Sequence, residues 1–310
     1  MGSGHDHTHA HSHAHNHGRD DYGRAFLLGI VLNTLFVALE YGFGIVAHSL
    51  ALVADATHNL SDVLSLVLAW VGSWLAQRRP SERYTYGLRG SSIFAALINA
   101  LLLLLVTGGL AWEAWQRLAT PQPVAGGTVM AVAACGVFIN GLTAWLFMSG
   151  SQHDLNVRGA YLHMLADAAV SLGVVVAGAL VMATGWLWLD PLVTLLLVVA
   201  ITWSTWGLLR ESVRMAVQAV PAGIDAAGVR VFLAAQPGVR EVHDLHIWGM
   251  STTENALTAH LVCPAGHPGD AFLHQLAHEI EHRFAIHHVT LQIELADAPA
   301  ACVLASEHVV

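Results

Sequence analysis

Long apolar runs, each close to the length that crosses a lipid bilayer, constrain this chain more than any other feature. We place six of them near residues 25–46, 51–76, 91–116, 126–148, 160–184 and 188–208. A spanning helix needs about 20 mostly apolar residues. The chain is 55% hydrophobic and 11% charged, whereas soluble domains carry roughly 25% charged residues. The sequence therefore predicts a mainly α-helical membrane protein with six transmembrane helices.

The arginines indicate which ends of the spans face the cytoplasm. All 13 basic residues are arginine. If the N-terminus is cytoplasmic, nearly all of the arginines that flank the spans lie on the cytoplasmic side, and Arg117 alone lies outside. Cytoplasmic loops carry the excess of basic residues in membrane proteins. Both termini are therefore predicted to be cytoplasmic.

The chain changes character after the sixth span and there resembles a small soluble domain. Its pattern predicts a helix over 224–235, strands over 239–248 and 256–262, a helix over 270–284 and a strand over 289–295. An α-β-β-α-β order is typical of a small α+β domain of ferredoxin-like type.

The predicted organisation has four parts. They are a disordered His-rich cytoplasmic tail (1–23), a six-helix transmembrane domain (24–210), a cytoplasmic α+β domain for metal binding and dimerisation (211–296) and a C-terminal tail (297–310). In the first tail, alternating histidines and small or polar residues cannot bury enough apolar surface to fold. We expect this tail to bind metal loosely; an engineered tag is the alternative.

Bulk composition excludes several classes of function. The net charge of −9 argues against a nucleic-acid partner. The three cysteines lie far apart, so neither a disulfide framework nor a thiolate zinc site is predicted. The 21 histidines are the anomaly, and histidine is the commonest metal ligand.

Two predicted spans carry the same His-x-x-x-Asp pair. His58 and Asp62 lie in the second span, and His163 and Asp167 lie in the fifth. Residues four apart share one helix face. Two such helices would present two imidazoles and two carboxylates, a set that suits tetrahedral Zn²⁺. An aspartate at the bilayer centre costs about 2.5–3.5 kcal/mol, so the repeat favours a functional site over buried His–Asp hydrogen bonds that pin the bundle.

Further acidic residues in the spans include Asp55, Glu40 and Asp190. For Asp55 we consider the external mouth, a helix cap or a ligand; for Glu40, a proton relay, cation steering or a hydrogen bond to a neighbouring helix. Asp190 immediately precedes Pro191 and is predicted to cap the sixth helix.

These residues and their surroundings resemble the cation diffusion facilitator family of metal/proton antiporters. The similarity covers about residues 20–296. Its motifs are Asn33 with Glu40, Ala54-Asp55-Ala56-x-His58-x-x-x-Asp62, Tyr84-x-Tyr86-Gly87, His163-x-x-x-Asp167, Asp190-Pro191, His243-Asp-Leu-His-Ile-Trp248 and Thr290-Leu-Gln-Ile-Glu294. Histidine and aspartate in both spans are similar to the zinc-transporting branch. The resemblance implies a homodimer in the bacterial inner (cell) membrane that exports Zn²⁺ and takes up protons.

The resemblance also implies a metal site in the cytoplasmic domain. Its ligands would be His243, His260, His287 and Glu294. Three imidazoles and a carboxylate fit zinc, and ordinary surface histidines are the alternative. A partner subunit's N-terminal tail can supply a completing ligand in relatives. Along the second helix of this domain, His274, His278 and His282 predict a solvated face, with a metal stripe as the alternative.

The sequence therefore predicts a dimeric divalent metal exporter that prefers Zn²⁺ and works by metal/proton antiport. Imidazoles must be deprotonated to bind metal, so metal and protons compete for His58 and His163. The alternatives are a membrane metal sensor without transport and an exporter that prefers Cd²⁺, Co²⁺ or Ni²⁺. An intramembrane metalloenzyme would need a general base beside an open metal position, as in His-Glu-x-x-His. We expect no such motif anywhere in the chain, and we predict that the chain is not an enzyme.

Overall fold

Six long helices precede a small α+β domain in the computed structural model, which describes residues 17–76, 78–148, 155–295, 302 and 304. The helices are α1 (His17–Val46), α2 (Leu50–Ala76), α3 (Ser91–Ala119), α4 (Gly126–Met148), α5 (Leu155–Thr184) and α6 (Leu189–Ala216). They lie where the six spans were predicted. α1 begins inside the range predicted as a disordered tail, and residues 1–16 of that tail lie outside the described residues.

Four of these helices are long and apolar enough to cross a membrane. They are α3, α4, the Tyr161–Thr184 part of α5, and α6. α1 contains a shorter apolar segment, Asn33–Val46. Four helices of this kind make the chain an integral membrane protein, and crossings by α1 and α2 stay predictions.

The helices are divided between two compact units, residues 1–63 with 110–197 and residues 64–109 with 198–310. In the first unit, α4 and α5 pack through glycines. A Cβ on Gly178 would lie 3.1 Å from the carbonyl oxygen of Gly126 and 3.1 Å from the amide nitrogen of Met130. Small residues let helix backbones approach closely in membranes, so this pair fixes the position of α5.

The start of α2 is held by a carboxylate from α6. Asp190 accepts hydrogen bonds from the Leu50 amide at 2.8 Å, from the Ala51 amide at 3.4 Å and from the Ser49 hydroxyl. The cap was predicted for its own helix, but α6 already begins at Leu189, and Asp190 caps α2 instead. The physical reason is that the first amides of α2 are buried and need an acceptor. This contact fixes the N-terminus of the helix that carries His58.

The C-terminal α+β domain, which was predicted to be cytoplasmic, has the predicted α-β-β-α-β order. Its elements are α7 (Ala226–Ala234), β1 (Glu241–Gly249), β2 (Asn255–Val262), α8 (Asp270–Phe284) and β3 (His288–Glu294). The sheet order is β1-β2-β3, with β1 antiparallel and β3 parallel to β2. Each helix buries a pair of residues four apart in the core, namely Val229 with Leu233 and Leu276 with Ile280.

A β-bulge interrupts β1 beside β2. His243 pairs with His260 and His246 with Thr258, so β1 has one extra residue. Within this bulge Asp244 adopts a φ of 49°, in the left-handed region that a non-glycine residue rarely occupies. Strain of this kind persists where the surroundings enforce it and is often functional.

Candidate metal centres

The two His-x-x-x-Asp pairs meet within the first unit. The Nε2 of His58 lies 3.9 Å from Asp62 Oδ2 and 3.5 Å from Asp167 Oδ1. The Nε2 of His163 lies 3.3 Å from Asp62 Oδ2 and 3.6 Å from Asp167 Oδ2. Each imidazole therefore reaches a carboxylate on α2 and one on α5.

These separations suit four ligands around one ion. Nitrogen and oxygen ligands about 2.0–2.1 Å from a tetrahedral zinc ion lie about 3.3–3.4 Å apart. His58, Asp62 and Asp167 offer ligand atoms that all lie within 4.8 Å of one another, and the rings of His58 and His163 lie edge to face with centroids 6.2 Å apart. His163 lies close to both carboxylates but is not a member of this group of three, so its imidazole would have to shift before all four residues could bind one ion.

The carboxylates of this group have unused oxygens. The Oδ2 atoms of Asp62 and Asp167 are buried and accept no hydrogen bond within the described part of the chain. A buried polar atom without a partner needs an explanation such as a bound ion. The Asp167 side chain is 3% exposed and that of His163 is 42% exposed, so protein atoms enclose the group mainly on the Asp167 side.

Asp55 does not belong to this ligand group. It is the sixth residue of α2, which excludes a capping role, and it is buried. Its Oδ2 accepts a hydrogen bond from Ser171 Oγ at 3.0 Å. The side chain is therefore committed to a contact between α2 and α5, one helical turn from His58.

A second group of ligand atoms lies in the cytoplasmic domain. His243, His260, Glu294 and Cys302 each offer an atom within 4.8 Å of the others. Glu294 lies 3.3 Å from His243 Nε2 through one oxygen and 2.9 Å from His260 Nδ1 through the other. Cys302 Sγ lies 3.6 Å from His260 Nδ1. Two imidazoles, a carboxylate and a thiol form a ligand set that zinc accepts.

Two further observations fit a metal here. Both ring nitrogens of His243 are buried and form no hydrogen bond among the described residues. Burial opposes ionisation of Glu294, but the Cys302 hydrogen bond and the nearby His243 and His260 outweigh it and lower the pKa of Glu294. The hydrogen bond to Glu294 raises the pKa of the Cys302 thiol. The glutamate is thus a ready anionic ligand.

Asp244 is a residue that sequence reasoning missed. Its Oδ2 lies 3.4 Å from His260 Nε2, and its Oδ1 lies 2.8 Å from His246 Nε2. A ligating histidine usually donates its second ring N–H to a carboxylate, which leaves the other nitrogen free for metal. Asp244 can accept that hydrogen from His260 Nε2, so Nδ1 faces Glu294 and Cys302. In a regular strand Asp244 would point away from the face that carries His243. The contact between Asp244 and His260 therefore depends on the bulge in β1.

His287 lies apart from this group. Its ring is exposed and does not belong to the ligand group formed among the described residues. The predicted ligand role of His287 stays a prediction. The fourth place is occupied by Cys302, one of the three widely separated cysteines from which no thiolate zinc site was predicted.

The histidines of α8 are exposed, as predicted. The rings of His278 and His282 contact each other in a tilted arrangement, with centroids 4.4 Å apart. With Glu279 they form the spacing His-Glu-x-x-His, so the expectation that the chain has no such motif was wrong. No group of three ligand atoms forms around this pair in the part of the chain that the structure describes.

Comparison with known proteins defines the class. The model of the cation efflux transmembrane domain matches residues 26–215, and that of the cation efflux protein cytoplasmic domain matches residues 221–296. The chain therefore belongs to the cation efflux family, the cation diffusion facilitators, as the sequence motifs predicted.

Three curated relatives cover nearly the whole chain. The zinc transporter ZitB of Escherichia coli (strain K12) is 35% identical over 277 residues, 89% of this chain and 88% of that protein. The cadmium, cobalt and zinc/H(+)-K(+) antiporter of Bacillus subtilis (strain 168) is 32% identical over 276 residues, 87% of this chain and 88% of that protein. The metal cation efflux system protein CzcD of Cupriavidus metallidurans is 34% identical over 302 residues, 97% of this chain and 93% of that protein.

Proposed function

We propose that this protein exports divalent metal ions, with Zn²⁺ as the main substrate, in exchange for protons. The transport site consists of His58, Asp62, His163 and Asp167. The observation that carries the proposal is that two imidazoles and two carboxylates from two helices meet at separations of 3.3–3.9 Å. The relatives named as a zinc transporter and as a cadmium, cobalt and zinc antiporter support it.

The same ligands account for proton exchange. An imidazole binds metal only when deprotonated, so binding a Zn²⁺ ion releases the protons that His58 and His163 carry. Loss of the ion lets protons return. If the site faces the cytoplasm when it loads and the more acidic side when it empties, the proton gradient drives export.

We further propose six membrane crossings, α1–α6, with both termini in the cytoplasm of a bacterial cell and the protein embedded in its inner membrane. The arginines on one side of the spans support this orientation. The protein is proposed to act as a homodimer, and the match of residues 221–296 to the family's cytoplasmic domain supports this.

The cytoplasmic group is proposed to hold a resident metal ion through His243, His260, Glu294 and Cys302. Such an ion would cross-link the β1–β2 pair, the end of β3 and Cys302, and would stabilise the domain as structural zinc does. Transport does not pass through this group.

Transport by proteoliposomes tests the main proposal. Purified protein is reconstituted, a pH gradient is imposed with the interior acidic, and Zn²⁺ uptake is followed with an enclosed indicator. We expect rapid uptake by the wild type and loss of uptake by His163→Ala and by Asp167→Asn. His278→Ala, an exposed histidine outside both groups, is the matched control and should transport normally.

The outcomes separate the alternatives. Undiminished uptake by His163→Ala and Asp167→Asn would refute the site. Zinc binding by the wild type without uptake would favour a sensor. Competition by Cd²⁺, Co²⁺, Ni²⁺ and Mn²⁺ ranks the substrates, since affinity trends alone do not favour zinc; a preference for Mn²⁺ would overturn the assignment.

A further inference from the structure

Two carboxyl groups, Glu40 on α1 and Asp55 on α2, are buried together near the proposed transport site. Glu40 is 0% and Asp55 is 1% exposed. Glu40 accepts a hydrogen bond from Asn59, which lies one helical turn after Asp55 on the same face of α2, so the two carboxyl groups are neighbours. Asp55 precedes His58 by one helical turn, so the pair lies beside the ligand group without belonging to it.

Each carboxyl group accepts one hydrogen bond through one oxygen, and its other oxygen has no hydrogen-bond donor among the described residues. Asn59 Nδ2 donates to Glu40 Oε2 at 3.3 Å, and Ser171 Oγ donates to Asp55 Oδ2 at 3.0 Å. The remaining atoms, Glu40 Oε1 and Asp55 Oδ1, are buried and receive no hydrogen bond from the described residues. Ionised carboxylates only accept hydrogen bonds, so a proton on one of the two groups would supply a donor that two ionised groups lack. Two carboxylates that share one buried site retain one proton between them.

The surroundings indicate which carboxyl group carries the proton. Outside the pair, the nearby ionisable groups are His58, one helical turn after Asp55 on α2, and Asp167 on α5, which lies 3.5 Å from His58. α4 packs against α1 and contributes no acidic or basic residue. Asp55 has the hydroxyl donor and the imidazole nearby and is the better anion. Glu40 is therefore the more favourable place for a proton that the two groups share.

We propose that Glu40 and Asp55 form a proton-binding site that takes part in antiport. Glu40 releases its proton to water as H⁺ when a divalent ion occupies the neighbouring ligand group, and the Glu40 carboxylate takes up H⁺ when the ion leaves. No electrons are transferred, and the added negative charge offsets part of the ion's double positive charge. The proposal rests on the proposed function. It adds a proton carrier to the two histidines.

Linkage makes the coupling reciprocal. A cation one helical turn away favours ionisation of the pair through space. Linkage is reciprocal, so a proton on the pair weakens metal binding by the same free energy by which the bound metal disfavours that proton. The pair thus couples metal release to proton uptake without touching the metal.

Counting protons tests the proposal. The full-length protein carrying His243→Ala and His260→Ala, which remove the cytoplasmic group, is titrated with Zn²⁺ in weakly buffered detergent solution with a pH indicator. We expect Glu40→Gln and Asp55→Asn each to release about one proton fewer per ion bound. The double variant should lose no more than either single variant, because both groups share one proton. Ser171→Ala removes a hydrogen bond from the same network but no carboxyl group and should release the normal number.

A structural role for the pair predicts a different result. In that case the variants would unfold at lower temperature while proton release stayed unchanged, which would overturn the proposal. If the variants do not fold, infrared difference spectra of the parent protein show whether a carboxyl group loses its proton when Zn²⁺ binds. Zn²⁺ binding should abolish a carbonyl band of a protonated carboxyl group, and its absence would overturn the proposal. Failure of the parent protein to bind Zn²⁺ at His58 and His163 would overturn the proposed function as well, whereas normal metal transport with unchanged proton counts would overturn the pair alone.

Discussion

Substitution of Asp190 tests how the protein positions its metal-binding helix. Asp190 touches no metal ligand, yet it accepts hydrogen bonds from the Leu50 and Ala51 amides and from the Ser49 hydroxyl at the start of α2. Asp190→Ala leaves these buried donors without their acceptor. Fraying of this first turn would loosen the segment that leads to His58, so both stability and zinc affinity should fall.

The size of the effect follows from the two amides. A buried donor left unsatisfied costs about 1–3 kcal/mol. The Leu50 amide, at 2.8 Å, loses a strong hydrogen bond, and the Ala51 amide, at 3.4 Å, loses a weak one. We expect Asp190→Ala to lower the free energy of unfolding by about 2–4 kcal/mol. Asp190→Asn keeps one acceptor oxygen and should cost about half as much.

Denaturant unfolding of the purified protein, followed by tryptophan fluorescence, measures these changes. Asp270→Ala is a matched control, because Asp270 is an exposed aspartate in the first turn of α8. It should change stability by no more than about 0.5 kcal/mol. The argument fails if Asp190→Ala is as stable as this control, or if Asp190→Asn is less stable than Asp190→Ala.

Three further predictions concern the cytoplasmic group and the helix packing. Asp244→Asn should weaken zinc binding by the cytoplasmic group about 10–100-fold without reducing transport-site affinity, as calorimetric titration can measure. In the same titration Cys302→Ser should weaken binding more than His287→Ala; the reverse order would support the ligand role predicted for His287. Gly178→Ala should destabilise the protein by about 1–3 kcal/mol because its Cβ would meet backbone atoms at 3.1 Å, whereas Gly173→Ala, with open space around it, should not destabilise the same helix.

The local sequence pattern was sufficient to predict most of the helices and strands. The apolar runs predicted the positions of α1–α6, since a bilayer leaves a helix few alternatives for satisfying its backbone. The change from long apolar runs to short amphipathic segments predicted the five elements of the cytoplasmic domain in their order. Spacing of four residues put His58 on one face with Asp62, and His163 with Asp167, which the structure brings into one group.

Contacts between distant segments could not be predicted in this way. Asp190 caps a helix 140 residues earlier in the chain, and a sequence shows only that it precedes a proline. Asp244 reaches His260 because β1 bulges, and a regular alternation of strand faces predicts the opposite. Cys302 approaches His260 from 42 residues away. In each case burial of a polar group demands a partner, but tertiary packing decides which one it receives.

In the proposed transport site, the contacts between α2 and α5 are shorter than the contacts within each His-x-x-x-Asp pair. His58 lies 3.5 Å from Asp167 across the interface and 3.9 Å from Asp62 on its own helix. His163 likewise lies 3.3 Å from Asp62 and 3.6 Å from Asp167. The shorter contact of each imidazole thus joins α2 to α5.

Exchange of ligands within one helix tests this arrangement without changing the ligand set. The double variant His58→Asp with Asp62→His places carboxylate against carboxylate and imidazole against imidazole across the interface, so zinc affinity and uptake should fall sharply. Adding His163→Asp and Asp167→His restores an opposite partner to each group and should recover much of the loss. If the single-helix exchange binds zinc as well as the wild type, the number of ligands alone determines affinity. If the fourfold variant recovers nothing, the contacts between helices do not organise the site.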